Sequence, residues 1–194
     1  MKKLVFAILM CVAAMSAKAQ VLTSETVNSV YSQVSNQTGG DFAYNAELTG
    51  KDITEMYVYQ RLVDLEDETG LKPYLKYTYT YADDGMLTSR VTYRWNDGLC
   101  DWVTVARYDY TLANGSYYAE YSRYNHRTER FDQPVERIVY TLFQDDIVNC
   151  ISYYHRESPA VPFQLVCKTA IDHQTLLIAE KQNVKESYAQ PSNY

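Results

Sequence analysis

Trp95 and Trp102 stand at nearly symmetric distances from the turn signal Asn96-Asp97-Gly98-Leu99, so a hairpin closing there makes them near neighbours across two strands. Two indoles in one plane, with Arg94, Asp97 and Asp101 close by, would suit stacking on a sugar ring. The same pair, if enclosed, would close the end of a sheet's core, as aromatic pairs do. Tyr93 shares a strand face with Trp95. On the next strand but one, alternation puts Tyr117 and Tyr121 on one face and Tyr118 and Tyr124 on the other. The candidate ligand-binding set is therefore Trp95, Trp102, Tyr93, Tyr117 and Tyr121.

Other chemistries find less support. Nucleophilic catalysis needs a base within hydrogen-bond reach of a Ser or Cys, and His126, His155 and His173 lie in separate segments with no motif beside them. The carboxylate pairs Asp83-Asp84 and Asp145-Asp146 sit where turns are expected, and Asp is a turn former in its own right. Glu66-Asp67-Glu68 reads as a solvated loop. There is no EF-hand spacing, phosphate-cradling glycine loop, dinucleotide fingerprint or zinc cluster in the sequence, so neither cofactor nor metal is expected.

These candidates need strands to hold them. Asp84-Gly85, Asp97-Gly98 and Asn114-Gly115 each separate runs of alternating tyrosine, threonine and β-branched residues, which predicts I′ hairpin turns. Nine strands follow: Thr54 to Val63, Tyr74 to Tyr81, Met86 to Trp95, Trp102 to Tyr110, Ser116 to Tyr124, Val135 to Phe143, Ile147 to Arg156, Phe163 to Ile171 and Leu176 to Lys181. The fold class is all-β, an antiparallel meander. Simple alternation places Leu87, Val91, Tyr93 and Trp95 on one face of their strand. It likewise places Trp102, Thr104, Ala106, Tyr108 and Tyr110 together on the next, against Val103, Val105, Arg107 and Asp109. Strand Ile147 to Arg156 is apolar on both faces, which marks it as central or as facing the N-terminal helix. That helix is read from Val27, Val30, Tyr31 and Val34, spaced i, i+3, i+4, i+7, with Thr23 or Ser24 as N-cap. A disordered arm is the other reading of the segment. The polar run Asn36 to Gly40 ends it.

The chain opens with Met1-Lys2-Lys3 and an apolar run from Leu4 to Ala17, and Ala17-Lys18-Ala19 supplies small residues at −3 and −1. A signal peptide over 1–19, cleaved between Ala19 and Gln20, is expected, with an extracytoplasmic product, periplasmic or secreted. Met10 before Cys11 argues against a lipoprotein. The organisation expected is 1–19 signal peptide, 20–40 short helix and linker, 41–185 β-meander and 186–194 tail, with no transmembrane segment in the mature chain. Without Lys2, Lys3 and Lys18, 15 basic side chains remain against 24 acidic ones, a formal charge of −9. Such a surface repels phosphate backbones, which excludes sequence-independent nucleic-acid binding. Three cysteines remain. Cys150 and Cys167 flank the Glu157-Ser158-Pro159 bend almost symmetrically and are the pair proposed for a disulfide in an oxidising compartment. Three unbridged thiols packed as small hydrophobes are the alternative.

Tyr79-Thr80-Tyr81, Tyr110-Thr111-Leu112 and Tyr140-Thr141-Leu142 start 31 and 30 residues apart, and Tyr93, Tyr124 and Tyr154 keep the same phase. A period of ~30 residues accommodates two strands per unit. Tyrosine-rich strands ending in Asp-Asp-Gly or Ala-Asn-Gly resemble the YD-type repeats of bacterial surface and toxin-shell proteins, over Leu75 to Arg156. Gln144-Asp145-Asp146 departs from that pattern by lacking the turn glycine. With the lysine-led signal peptide, the chain resembles a family of small exported proteins of unknown function from Bacteroides-type gut bacteria. That resemblance implies no catalytic residues. The function expected is that of an exported, non-enzymatic binding or structural protein of the cell envelope, its partner an envelope protein or a glycan. A glycan module using the exposed aromatics and a small envelope hydrolase are the alternatives.

Overall fold

A computed structural model describes residues 22–36, 40–63, 69–143 and 147–170. The expected signal peptide, the strand Leu176 to Lys181 and the C-terminal tail lie outside the described residues. Among the described residues one helix, α1 (Ser24–Ser35), precedes ten strands: β1 (Phe42–Thr49), β2 (Asp52–Val63), β3 (Thr69–Tyr81), β4 (Leu87–Asn96), β5 (Asp101–Ala113), β6 (Ser116–Asn125), β7 (Arg130–Phe131), β8 (Glu136–Phe143), β9 (Ile147–His155) and β10 (Gln164–Ala170). Nine of them lie side by side in chain order, every neighbour antiparallel, and the two-residue β7 pairs only with the end of β6. The sheet is an open meander. β1 was not among the expected strands: its sequence, FAYNAELT, carries too weak an alternation to stand out after Gly39-Gly40.

The helix begins where the sequence offers its cap. Thr23 accepts a hydrogen bond from the Thr26 amide at 3.3 Å and closes a capping box. Its first turn is stitched to the β3–β4 turn, with Ser24 N–H donating to the Gly85 carbonyl and Leu87 N–H to the Leu22 carbonyl. Asn28 binds the β1–β2 turn from both ends of its amide, giving Nδ2–H to the Lys51 carbonyl at 2.9 Å and accepting from Ile53 N–H at 3.2 Å. Val27 is thereby pressed onto Ile53, Met56 and Leu87. A second cluster, Tyr117, Ala119, Ile138 and Tyr140, continues the core across β6 and β8, and Leu22 and Tyr110 touch both. All these sheet residues share one side, the inner face. The helix packs chiefly on β1 and β2, and β9 is an interior strand of the sheet, between β8 and β10.

Of the three turn signals, only Asn114-Gly115 takes positive φ at both residues, 51° and 67°, closing a two-residue loop between Ala113 and Ser116. At Asp84-Gly85 only the glycine does, with φ 81°. The Asp97-Gly98 hairpin is a four-residue loop whose left-handed residue is Cys100, φ 52°. Asn96 explains this, since its Oδ1 accepts from Gly98 N–H at 2.9 Å and Leu99 N–H at 3.1 Å and carries the chain past the position where a tighter turn would close.

Register shifts skip single residues at Thr54, Tyr74, Thr88, Val105, Asn149 and Val166. Each such bulge lets the faces fall out of simple alternation. Two face assignments change as a result. Leu87 pairs with Tyr81 on the inner face, while Val91, Tyr93 and Trp95 lie on the outer one, because Thr88 is the extra residue between them. On β5, Ala106, Tyr108 and Tyr110 are inner, while Trp102 and Thr104, across the bulge at Val105, are outer and share that face with Arg107 and Asp109.

Candidate functional site

The outer face of β2 to β5 carries the candidate site. Trp95 and Trp102 are direct partners across the hairpin, their ring centroids 5.2 Å apart at an interplanar angle of 73°. The two indoles are thus not coplanar: one stands edge-on against the other and they form an angle with a floor and a wall. Both are half-buried, and neither belongs to a core cluster. The Asp101 carboxylate accepts from the Trp102 amide at 2.7 Å and fixes the strand's entry beneath the ring.

The strip extends sideways. Tyr57 of β2, Lys76 of β3, Tyr93 of β4 and Thr104 of β5 form one row in register across four strands. The Lys76 ammonium lies 4.9 Å from the Tyr93 ring centre and 5.9 Å from that of Tyr57. Tyr57 reaches Trp102, centroid to centroid 6.1 Å, although two strands separate theirs. At about 4.8 Å per strand the backbones are on the order of 14 Å apart, so the two side chains lie over the intervening row rather than standing clear of it. Tyr57 donates its hydroxyl to the carboxylates of Glu55 and Glu47; the Glu55 bond, with burial second, raises its pKa well above the ordinary phenol range. Glu55 also lies 3.7 Å from Lys76. The result is a continuous aromatic strip edged by one ammonium and two carboxylates.

The remaining candidates fall elsewhere. Tyr117 and Tyr121 are on the inner face, and Tyr117, 2 % exposed, donates to the Leu87 carbonyl at 2.6 Å as a core residue. They do not join the tryptophans. Cys150 lies opposite Thr141 and Ala170 on the outer face, Cys167 opposite Tyr153 on the inner. Both thiols are unbridged, and placement on opposite faces of a paired β9–β10 ladder takes them out of reach of a common S–S bond. The ladder closes about a point one residue beyond the midpoint of the two cysteines, with His155 opposite Gln164, and the bulge at Val166 then shifts the register by one and puts Cys167 on the other face. Tyr57, Lys76 and Glu55 escaped the sequence reading; their signal was the alternation of β2 and β3, hidden by the bulges at Thr54 and Tyr74. His126 packs edge-on against Tyr124 at 5.1 Å and His155 is exposed at the end of β9. Among the described residues no cluster of His, Cys, Asp or Glu is placed to hold a metal ion, and no helix is long and apolar enough to cross a membrane.

Comparison with solved structures finds a protein with unknown function from Bacteroides fragilis NCTC 9343, 21% identical, covering 69% of this chain and 94% of that one with a TM-score of 0.59. Two DUF3836 family proteins are also similar. The one from Bacteroides vulgatus ATCC 8482 is 23% identical over 47% of this chain and 89% of its own, TM-score 0.44. The one from Parabacteroides distasonis ATCC 8503 is 18% identical over 53% and 92%, TM-score 0.46. No curated protein matches. The model of a family of unknown function, DUF3836, matches residues 1–142, and the chain belongs to that family.

Proposed function

We propose that this DUF3836 family member is an exported, non-enzymatic binding protein of the cell envelope that holds a carbohydrate on the outer-face strip of Trp95, Trp102, Tyr57 and Tyr93. The observation that carries the reading is the position of the two indoles: paired at 5.2 Å, half-buried, and on the side of the sheet away from both core clusters. Aromatic rings left partly in water cost a protein solubility, and a ligand with an apolar face compensates. A pyranose offers one flat face of C–H groups to a ring and a rim of hydroxyls to polar neighbours. Here one indole supplies the floor and the other the wall, while Lys76 and Glu55 stand where hydroxyls would meet them. Export rests on the lysine-led apolar run and Ala17-Lys18-Ala19.

A glycan array probed with the wild-type chain, followed by titration of any hit into Trp102→Ala and the double variant with Trp95→Ala, tests the site. Binding weakened at least tenfold by the single change, with the melting temperature within a few degrees of wild type, is the expected result. An array without a hit, or a hit indifferent to both tryptophans, overturns the assignment. Mass spectrometry of the protein from its native cell is expected to find Gln20 at the N-terminus, and a chain that still begins at Met1 would remove the export half of the proposal.

A further inference from the structure

On the inner face, outside the strip, an arginine lies between aromatic rings with no carboxylate paired to it. Arg90 of β4 stands in a row in register with Tyr79 of β3, Tyr108 of β5 and Tyr121 of β6. Its guanidinium carbon lies 5.3 Å from the Tyr77 ring centre and 4.8 Å from that of Tyr108, so aromatic rings from both flanking strands pack on it. Its Nε is fully enclosed with no hydrogen-bond partner, while the residue as a whole keeps part of its surface accessible. Three other cations of the sheet meet carboxylates: Arg107 meets Asp109 at 2.8 Å, Arg137 meets Glu120, and Lys76 meets Glu55. Arg90 forms no ion pair among the described residues. The acid nearest to it along its own row is Glu136, opposite Tyr121 on β8 and three strands away. Burial opposes the charge, and the negative charge that Tyr110, Tyr79, Tyr77 and Tyr108 acquire when ionised favours it, so the pKa stays above the ordinary guanidinium value.

With Nε enclosed and unpaired, the guanidinium has one hydrogen bond fewer than in water and gains from any acceptor that its accessible end can reach. Rings occupy its faces, so that end is the planar edge of its two terminal NH2 groups, which matches a carboxylate accepting two parallel bonds. We propose that Arg90, set between Tyr77 and Tyr108, binds the carboxylate of a small acidic ligand on the inner face of the sheet. The carboxylate could be carried by a simple organic acid or by an acidic sugar, and the two can be told apart.

The test is thermal unfolding of the full chain in sodium acetate or sodium glucuronate against sodium chloride at equal ionic strength. A saturating rise in melting temperature, on the order of 3–5 °C at ten times the half-saturating concentration, is expected for wild type. A response to glucuronate alone assigns the sugar acid, and a response to both assigns any small carboxylate. Arg90→Met, which replaces a buried cation by an apolar chain of similar length and so is expected to fold, should lose the carboxylate-specific rise. Arg90→Lys keeps the charge without the planar edge and should need at least tenfold more ligand. Wild type responding to the carboxylates no more than to chloride overturns the proposal, as does an unchanged response in Arg90→Met or an unchanged midpoint in Arg90→Lys.

Discussion

Tyr117 on the inner face is 2 % exposed and gives its hydroxyl to a backbone carbonyl, that of Leu87; Tyr57 on the outer face is half-buried and gives its hydroxyl to two carboxylates. The side chain is the same and the partners differ in kind. On the inner face the helix and the second cluster remove water, so each phenol must find a fixed protein partner or lose a hydrogen bond outright. On the outer face acids, a lysine and water share the work, and the rings stay available. One sheet thus uses tyrosine both as core and as surface, and the cover over each face decides which.

The largest consequence is at high pH. Burial raises the pKa of Tyr79, Tyr81, Tyr108, Tyr110, Tyr117 and Tyr140 well above the phenol range, and pushes that of Tyr153 up to about 12 with help from Glu136. In the unfolded chain these groups ionise near pH 10. A raised folded-state value means that the folded protein holds protons the unfolded chain has released. The stabilisation is complete below about pH 10 and declines as pH climbs through the folded-state values. Alkaline titration is expected to show the inner tyrosines ionising, by absorbance at 295 nm, in one steep step together with loss of far-UV circular dichroism. A gradual rise that includes every tyrosine while the sheet persists would break the contrast between the faces.

Next come truncations matched across the sheet. Tyr117→Ala should cost about 3–5 kcal/mol in urea unfolding, as large aromatic core truncations do. Trp102→Ala should cost about 2 kcal/mol or less, since a half-buried ring gives up less contact. Tyr117→Phe separates the hydroxyl from the ring and should cost about 1–3 kcal/mol for the Leu87 carbonyl left without its donor. Equal losses at Trp102 and Tyr117 would mean that the outer strip is a second core.

How much of this the sequence displayed follows from the range of the interactions involved. Asn114-Gly115 was legible because a two-residue loop is decided by its own two φ angles. The tryptophan pair was legible because it spans one tight hairpin, and alternation on β6 separated Tyr117 and Tyr121 from Tyr118 without interruption. Tyr57 beside Trp102 was not, since that contact adds the register of three strand pairs, each of them shifted, by Tyr74, Thr88 and Val105. Arg90 reads as a solvent-facing arginine by alternation, and only Thr88 as an extra residue puts it on the same face as Leu87. A bulge costs no distinctive residue type, so it leaves little mark in composition, yet it reassigns every side chain beyond it.

The cover itself can be loosened by degrees. Thr23 caps α1 and holds its first turn against the β3–β4 turn, so Thr23→Ala should cost about 1 kcal/mol. Because that turn also touches Leu22, the loss should appear as faster amide exchange at Leu87, whose N–H binds the Leu22 carbonyl, before any change at Trp102. Simultaneous loss of protection at both sites would show that the two faces open as one unit.

The smallest effect belongs to the ion pair at the hairpin tip. Lys72 and Asp97 meet at 2.8 Å with side chains 43% and 66% exposed, so the Coulomb gain is paid largely in screening and side-chain entropy. Lys72→Ala should change unfolding free energy by about 0.5 kcal/mol or less, and 0.5 M salt should erase even that difference. Arg137, on the outer face, makes a sharper case. It binds Glu120 through Nε at 2.8 Å and through Nη2, and packs 4.2 Å from the Phe163 ring centre with side chains about one-third exposed. Its removal therefore discards packing as well as charge, and salt leaves the packing intact. Arg137→Ala should cost more than Lys72→Ala and keep most of that cost in 0.5 M salt. If the two variants respond to salt alike, the outer face over β6 and β8 is as open as the hairpin tip, and the contrast drawn between covered and uncovered tyrosines would have to move to a different boundary.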